Sequence, residues 1–327
     1  MGEEAEGFLA RIREVPDDDG PRLIYADWLD EQDDPRGEFI RVQVALARMP
    51  ATDRRRPGLL RIERDLVGRY GEQWAAPFRG LATGPVFRRG FVDEVKVTAR
   101  QFLARGPALF AVWPFRRLHL LDLGGHLDAV LTSPLLARLT GLTVYAQHLG
   151  EPLARSVADS PHLVGLTELR LGRNRVGDPG AERVAASRFL ARLEVLDLSE
   201  NELGPAAGGV LTTAGVRELN LGQNRLGDAG VARLADQPAA AGLRALRLDT
   251  NGLTDAGLEA LARSPHLTRL VSLDVSGNAI GDAGFRALLA SESLRTLRQL
   301  AFTEPYVSDR MVRELGQRYS CRATPAW

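Results

Sequence analysis

The chain has 327 residues, 44 % of them apolar and 26 % charged, and 42 basic side chains balance 42 acidic ones to a formal net charge of zero. That length exceeds one ordinary compact domain, so two units or a repeat array is expected. No apolar run reaches the roughly 18 residues that a membrane-spanning helix needs, and the single cysteine, Cys321, excludes an intrachain disulfide framework. The first residues, MGEEAEGFLARIREV, lack the basic start and apolar stretch of a signal peptide. Together these features predict a cytoplasmic protein. Lys96 is the only lysine; the other 41 basic residues are arginine. With the abundant alanine, this points to genome composition rather than to a need for guanidinium chemistry.

Residues 1–91 read as helical. FLARIREV (8–15), RLIYADWLDEQ (22–32) and RGEFIRVQVALARM (36–49) carry apolar residues at helical spacing, and RRRPGLLRIERDLVGRYGEQWAAPF (54–78) adds one or two further helices. Residues 1–50 hold 13 acids against 6 bases, and residues 51–90 hold 9 bases against 4 acids. Such segments can attract one another or present two solvated faces. The stretch PDDDGPRLIYADWLDEQDDPRGEFIRVQ resembles a short bacterial module, the repeat-companion domain. Its matching positions include Pro16, Asp17, Asp18, Arg22, Leu23, Tyr25, Ala26, Asp27, Trp28, Leu29, Glu31, Asp34, Pro35, Arg36, Phe39, Ile40, Arg41 and Gln43. Gln32-Asp33 stands where that family usually has a glycine. The resemblance implies a neighbouring repeat array and brings no activity.

The array follows. LTELRLGRN (166–174), LEVLDLSEN (193–201), VRELNLGQN (216–224), LRALRLDTN (243–251) and LVSLDVSGN (270–278) fit one template, L-x-x-L-x-L-x-x-N. Their last residues, Asn174, Asn201, Asn224, Asn251 and Asn278, are spaced 27, 23, 27 and 27 apart. The frame extends to LRQLAFTEP (297–305), with Pro305 in the Asn position, and back to LTGLTVYAQ (139–147), FRRLHLLDL (115–123) and VDEVKVTAR (92–100), with Gln147, Leu123 and Arg100 there. About nine units therefore span 92–312, leaving 313–327 as a tail. Within a unit, alternation predicts a short strand whose fourth and sixth residues point inward. The Asn is expected to bond backbone groups of its own and the adjacent turn. Asp178, Asp228, Asp255 and Asp282 suit helix N-caps, and Gly180, Gly230, Gly257 and Gly284 would let each helix approach the strands. Ser133, Ser160, Ser187, Ser264 and Ser291 close the helices in register. The linker ELGPAAGGVLTTAG predicts an irregular outer segment in the short unit 193–215.

Period and pattern resemble the ribonuclease-inhibitor type of leucine-rich repeat. The fold class implied is α/β: a solenoid with a curved parallel sheet inside and helices outside, preceded by a small all-α domain. Members of that class present the inner, concave face to a protein partner. The outward positions of this chain give the candidate partner-binding residues: Tyr145, Arg170, Arg173, Asp197, Glu200, Asn220, Arg247, Asp249 and Asp274. Charges of both signs there serve recognition or satisfy one another across strands, Arg170 with Asp197 and Arg247 with Asp274. The mixed row, without a basic stripe and interleaved aromatics, argues against nucleic acid.

No catalytic residue, cofactor or metal site is expected. The acidic cluster Asp17, Asp18, Asp19, Asp27, Asp30, Glu31, Asp33 and Asp34 lacks calcium-loop spacing. His119, His126, His148, His162 and His266 lack zinc-site spacing. The expected function is a monomeric, cytoplasmic protein–protein interaction module acting as scaffold, sensor or inhibitor. The alternatives are an enzyme with a thiol or carboxylate centre, at Cys321 near Arg318 and Arg322 or in the acidic cluster, and a purely structural or multimerising element.

Overall fold

The computed structural model describes residues 3–50, 53–209 and 215–324. The chain divides into two compact units, 1–118 and 119–327.

The first unit opens with four helices, α1 (Glu3–Glu14), α2 (Gly20–Glu31), α3 (Arg36–Arg48) and α4 (Arg56–Trp74), at the positions read from the periodicity. Two apolar clusters hold them. Leu9, Ile12, Tyr25, Leu29, Ile40, Val44 and Phe91 form one; Phe39, Leu66 and Trp74, with Phe87 against them, form the other. Between α2 and α3, Asp33 takes the left-handed conformation, φ 55°. That region favours glycine, and aspartate is among the few other residues that adopt it. The region 1–91 is not wholly helical: β1 (Thr83–Arg88) turns back on β2 (Phe91–Thr98) as an antiparallel hairpin. Gly90 at its tip has φ 88°, and a Cβ there would collide with Ile40. Gln43 clamps the tip by accepting from the Gly90 N–H (2.7 Å) and donating to the Phe87 carbonyl (3.1 Å). β2 is the strand of the first predicted repeat. Helix α5 (Ala99–Val112) follows, started by a reciprocal Thr98–Gln101 capping box, and β3 (Arg117–Leu121) begins in this unit and continues into the second.

In the second unit the repeat is explicit. The strands are β4 (Gly141–Val144), β5 (Glu168–Arg170), β6 (Val195–Asp197), β7 (Glu218–Asn220), β8 (Ala245–Arg247), β9 (Ser272–Asp274), β10 (Gln299–Thr303) and β11 (Ser320–Thr324). From β4 to β11 each pairs in parallel with the next. Helices α6 (Leu127–Leu131), α7 (Glu151–Asp159), α8 (Gly177–Ala186), α9 (Gly227–Ala235), α10 (Asp255–Arg263), α11 (Asp282–Ala290) and α12 (Asp309–Arg318) lie between strands. The inward leucines, such as Leu169, Leu171, Leu246 and Leu248, are fully buried. Residues 313–324 are no tail: they complete α12 and add β11 as one more parallel strand. In the short unit the described part of the linker holds a three-residue 3-10 turn, Ala207–Gly209, and a side chain at Gly208 would collide with the Gly230 carbonyl; residues 210–214 of the linker lie outside the described residues.

Three rows of hydrogen bonds join successive repeats. In the first, each buried Asn bonds two turns at once. Asn201 Oδ1 accepts from the N–H groups of Asn174 (3.0 Å) and Val176 (3.1 Å), and its Nδ2 donates to the Leu171 and Ser199 carbonyls (both 3.0 Å). Asn224 and Asn278 repeat the pattern, and Gln147 takes the same part with Leu123 N–H and the Leu120 carbonyl. The second row corrects the reading of the aspartates. None caps its own helix. Asp178 accepts from Gly204 N–H, Asp228 from Thr254, Asp255 from Gly281 and Asp282 from Ser308, each 26 residues on. Thr254, Gly281 and Ser308 are the N-cap residues of the following helices, so Asp228, Asp255 and Asp282 each anchor the start of the next helix. The third row uses the serines: Ser160, Ser187, Ser264 and Ser291 donate to carbonyls of Leu131, Ala158, Ala235 and Ala262, 29 residues back. The helix glycines also serve the stack more than the sheet. A Cβ on Gly257 would collide with Asp228, and one on Gly284 would lie 2.9 Å from Asp255 Oδ1.

Asn201→Ala would strand the N–H donors of Asn174 and Val176, both buried away from water. At roughly 1–3 kcal/mol for each unsatisfied donor, about 2–6 kcal/mol of stability should be lost. Urea denaturation followed by circular dichroism measures it, with Arg233→Ala on the exposed side of α9 as the control expected to stay within about 0.5 kcal/mol. A loss no larger than the control's would show that the amide row does not hold the stack.

Candidate partner-binding face

The outward side of the sheet carries the residues singled out from the sequence, in the register expected. Arg170 pairs with Asp197, Asp197 with Asn220, Asn220 with Arg247 and Arg247 with Asp274 as cross-strand neighbours. Strand spacing of about 4.8 Å makes them a continuous row. Arg170, Asp197, Asn220 and Arg247 line one shallow depression of about 180 Å³, together with Glu218, Ala245 and Ser272. The small residues at 245 and 272 leave the space.

Neighbouring charges do not simply cancel. Arg170 turns along its own strand to Glu168 (2.6 Å). Asp197 Oδ1 accepts from the N–H and hydroxyl of Ser199 (2.9 and 2.7 Å), and Asp274 Oδ1 does the same with Ser276 (3.0 and 2.6 Å). Asn220 accepts from Gly222 N–H (3.0 Å). These acceptors tie down the exit of their own strands and are held in fixed orientation.

A second group lies one or two repeats away. The Tyr145 hydroxyl donates to Glu200 Oε1 (3.1 Å), two repeats on, and Arg173 approaches Glu200 at 3.4 Å. The Tyr145 ring reaches across because Gly172 lies beneath it: a Cβ at 172 would come within 2.9 Å of the ring. Burial, and then the bond to Glu200, push the phenol pKa up. The same alternation of large side chain and glycine recurs where Asp249 lies over Gly222, whose added Cβ would collide with the carboxylate. Asp249 is half-buried, and its pKa is raised, first by desolvation and then by Asp274.

Two features of this face escaped the sequence reading. The eighth position of the template is left-handed in one unit after another: Asp122, Ala146, Arg173, Glu200, Gln223, Thr250 and Gly277 have φ between 49° and 67°. Side chains there leave the sheet at a common angle. The seventh-position alternation was also missed, although Gly172 and Gly222 beside the bulky Tyr145 and Asp249 were its visible signal.

The alternative centres look different. Cys321 sits on β11 opposite Leu300, partly buried, and desolvation pushes its thiol pKa up rather than down. Arg318 stacks on Tyr319 instead of activating it. The acidic cluster is dispersed into ion pairs, Asp27 and Asp30 with Arg41, Asp19 with Arg48 and Asp17 with Arg116. Among the described residues, no group of three His, Cys, Asp or Glu side chains is placed to hold a metal ion. Nor is any described helix long and apolar enough to cross a membrane.

The family model for the leucine-rich repeat matches residues 166–185, 216–235, 243–262 and 264–289. The array is a leucine-rich-repeat solenoid. The matches pass over the short unit 193–215. No curated protein matches the chain.

The raised pKa of Asp249 has a definite sign. The folded chain takes up this proton at higher pH than the unfolded chain does, so ionised Asp249 opposes folding above the ordinary carboxylate value of 3.8. Asp249→Asn should therefore melt at a higher temperature than the wild type near neutral pH, with the gap closing as pH falls through the raised folded pKa towards 3.8. Melting curves at stepped pH measure it. A variant that melts lower at neutral pH would mean that the ionised carboxylate contributes to the fold.

Proposed function

We propose that the second unit is a protein-binding module that uses the exposed face of its parallel sheet, the concave face of the solenoid. Leucine-rich repeats generally mediate protein–protein interaction, and the observation that carries the reading here is the depression between Arg170 and Arg247. Around it, Asp197 and Asp274 are held rigid by Ser199 and Ser276. Fixed polar groups lose little conformational freedom on binding, so more of the contact energy appears as affinity. The mixed sign favours register and discrimination. Tyr145, 41 % exposed, supplies an aromatic anchor beside the row.

The partner on this reading is a folded protein or peptide with complementary charge, bound by a cytoplasmic, monomeric chain acting as scaffold, sensor or inhibitor. The four-helix region before the array is read as the repeat-companion domain. The enzymatic alternative draws no support from Cys321, whose thiol is held protonated by burial.

The test is affinity capture with the full chain as bait in extract from its source cell, read by mass spectrometry. A bait carrying Asp197→Arg and Asp274→Arg should lose at least about tenfold of the specifically captured protein while melting within a few degrees of the wild type. Undiminished capture by the folded double variant would rule out this face as the binding surface.

A further inference from the structure

The first unit contains a cavity that its fold does not require. It measures about 430 Å³ and is lined by six arginines, Arg22, Arg56, Arg88, Arg89, Arg116 and Arg117, against two carboxylates, Glu63 and Asp93. That volume is within the range of small-molecule sites, roughly 300–1,000 Å³. Some of the positive charge is neutralised. Asp93 pairs with Arg117, and with Arg88 at 3.5 Å and Arg116 at 3.7 Å; Asp17 pairs with Arg116 at 2.7 Å and Asp19 with Arg89 at 3.5 Å.

Arg22 is the exception. It is only 7 % exposed, one nitrogen donates to the Asp18 carbonyl (2.8 Å), and its Nε has no hydrogen-bond partner. A buried, unpartnered guanidinium donor costs free energy. Its pKa is lowered, first by desolvation and then by the charge of Arg89, so the cation sits where positive charge is already in excess. Part of the lining is apolar and open: Leu60 and Val86, 36 % and 40 % exposed, are two of the few large apolar side chains that the described residues of this unit leave in water, and both line the cavity.

We propose that this cavity binds a small soluble organic phosphate, its phosphoryl group held by Arg22, Arg89 and Arg116 and its organic part lying on Leu60 and Val86. A phosphoryl group carries up to two negative charges and three strong acceptor oxygens, enough for several guanidinium forks at once. A carboxylate offers two oxygens and one charge, and leaves both the excess positive charge and the Arg22 donor less satisfied. The apolar wall selects an ester over the free ion. The site is separate from the sheet face of the second unit, so it would give the protein a ligand as well as a partner.

Isothermal titration of the full chain, at constant ionic strength, tests this with three probes: phenyl phosphate, inorganic phosphate and benzoate. Phenyl phosphate should bind with one-to-one stoichiometry, about five- to tenfold tighter than inorganic phosphate, and benzoate more weakly than either. Arg116→Gln should weaken phenyl phosphate at least about tenfold. Arg88→Gln, whose side chain is half-exposed and safe for the fold, should weaken it by about threefold or more. Leu60→Ser should weaken phenyl phosphate and leave inorganic phosphate unchanged. Arg22→Met should abolish binding with no loss of melting temperature, because it removes a charge that burial disfavours. The absence of saturable heat with phenyl phosphate would overturn the proposal. So would benzoate binding as tightly as the phosphate ester, or unaltered affinity in the folded Arg88→Gln and Arg116→Gln proteins.

Discussion

A strand that leaves a parallel sheet through a tight buried turn exposes backbone donors and acceptors that no strand can satisfy. In this array one amide side chain per repeat does so. It accepts from the turn of the repeat before it and donates to carbonyls of both turns. Few other side chains can do this, because the task needs donor and acceptor in one planar group. Glutamine at 147 succeeds with one more methylene. The outside of the stack is less constrained. Asn224 follows Asn201 by 23 residues instead of 27, and the amide row continues unbroken through that unit. The shortening falls on the outer segment, whose described part holds the 3-10 turn Ala207–Gly209.

The aspartate and serine rows extend the same logic to the outer layer. Asp228, Asp255 and Asp282 each sit in the first turn of one helix and accept from the start of the next, while each serine returns a bond to the end of the helix before. Helix termini leave unsatisfied backbone groups, and neighbours in this stack satisfy them for one another. The short unit interrupts the aspartate row, with Pro205 in the place of Asp. There the backbone of Gly208 lies against that of Gly230 instead, so closely that a side chain at 208 would collide with the Gly230 carbonyl, and one at Gly230 would crowd Leu226 and Pro205. Glycine is retained where the polar link is lost because close packing takes over.

How much of this was legible depended on the range of each interaction. The strands, the inward leucines and the fifth-position row follow from a period of two within nine residues, and the structure has them where the sequence put them. The aspartates and helix glycines were assigned to their own helix because a reading confined to one repeat cannot see partners 26 residues away. The left-handed eighth position was hidden by its tolerance: Arg, Glu, Gln, Thr and Ala all occupy it. In the first unit the four helices were visible, but the β1–β2 hairpin was not. Its strand β1 is mostly exposed and lacks an alternating apolar face. The Gln43 and Arg36 bonds that anchor its tip run across about 50 residues. At the other end, β11 shows no alternation of its own; it is a strand because β10 offers it an edge.

The face proposed for binding follows from the same division of labour. The bonds between repeats run through the buried amides and the links between helices, whereas outward residues of the strands such as Asp197 and Asp274 bond locally within their own repeat. Their charges could have been spent on one another across the sheet, as the alternation of Arg170 with Asp197 and of Arg247 with Asp274 suggests. Instead Arg170 turns along its own strand, and the two aspartates are taken up by local serines. Asp249, half-buried above Gly222, is held as a carboxylate at a cost, since desolvation and Asp274 both oppose its charge. A cationic group of a partner laid on this face would relieve that penalty. The gain would be larger than for an exposed carboxylate, because much of the desolvation has already occurred in the free protein. On the proposed reading Asp249, more than the exposed arginines, is the position at which a partner's cation would gain most.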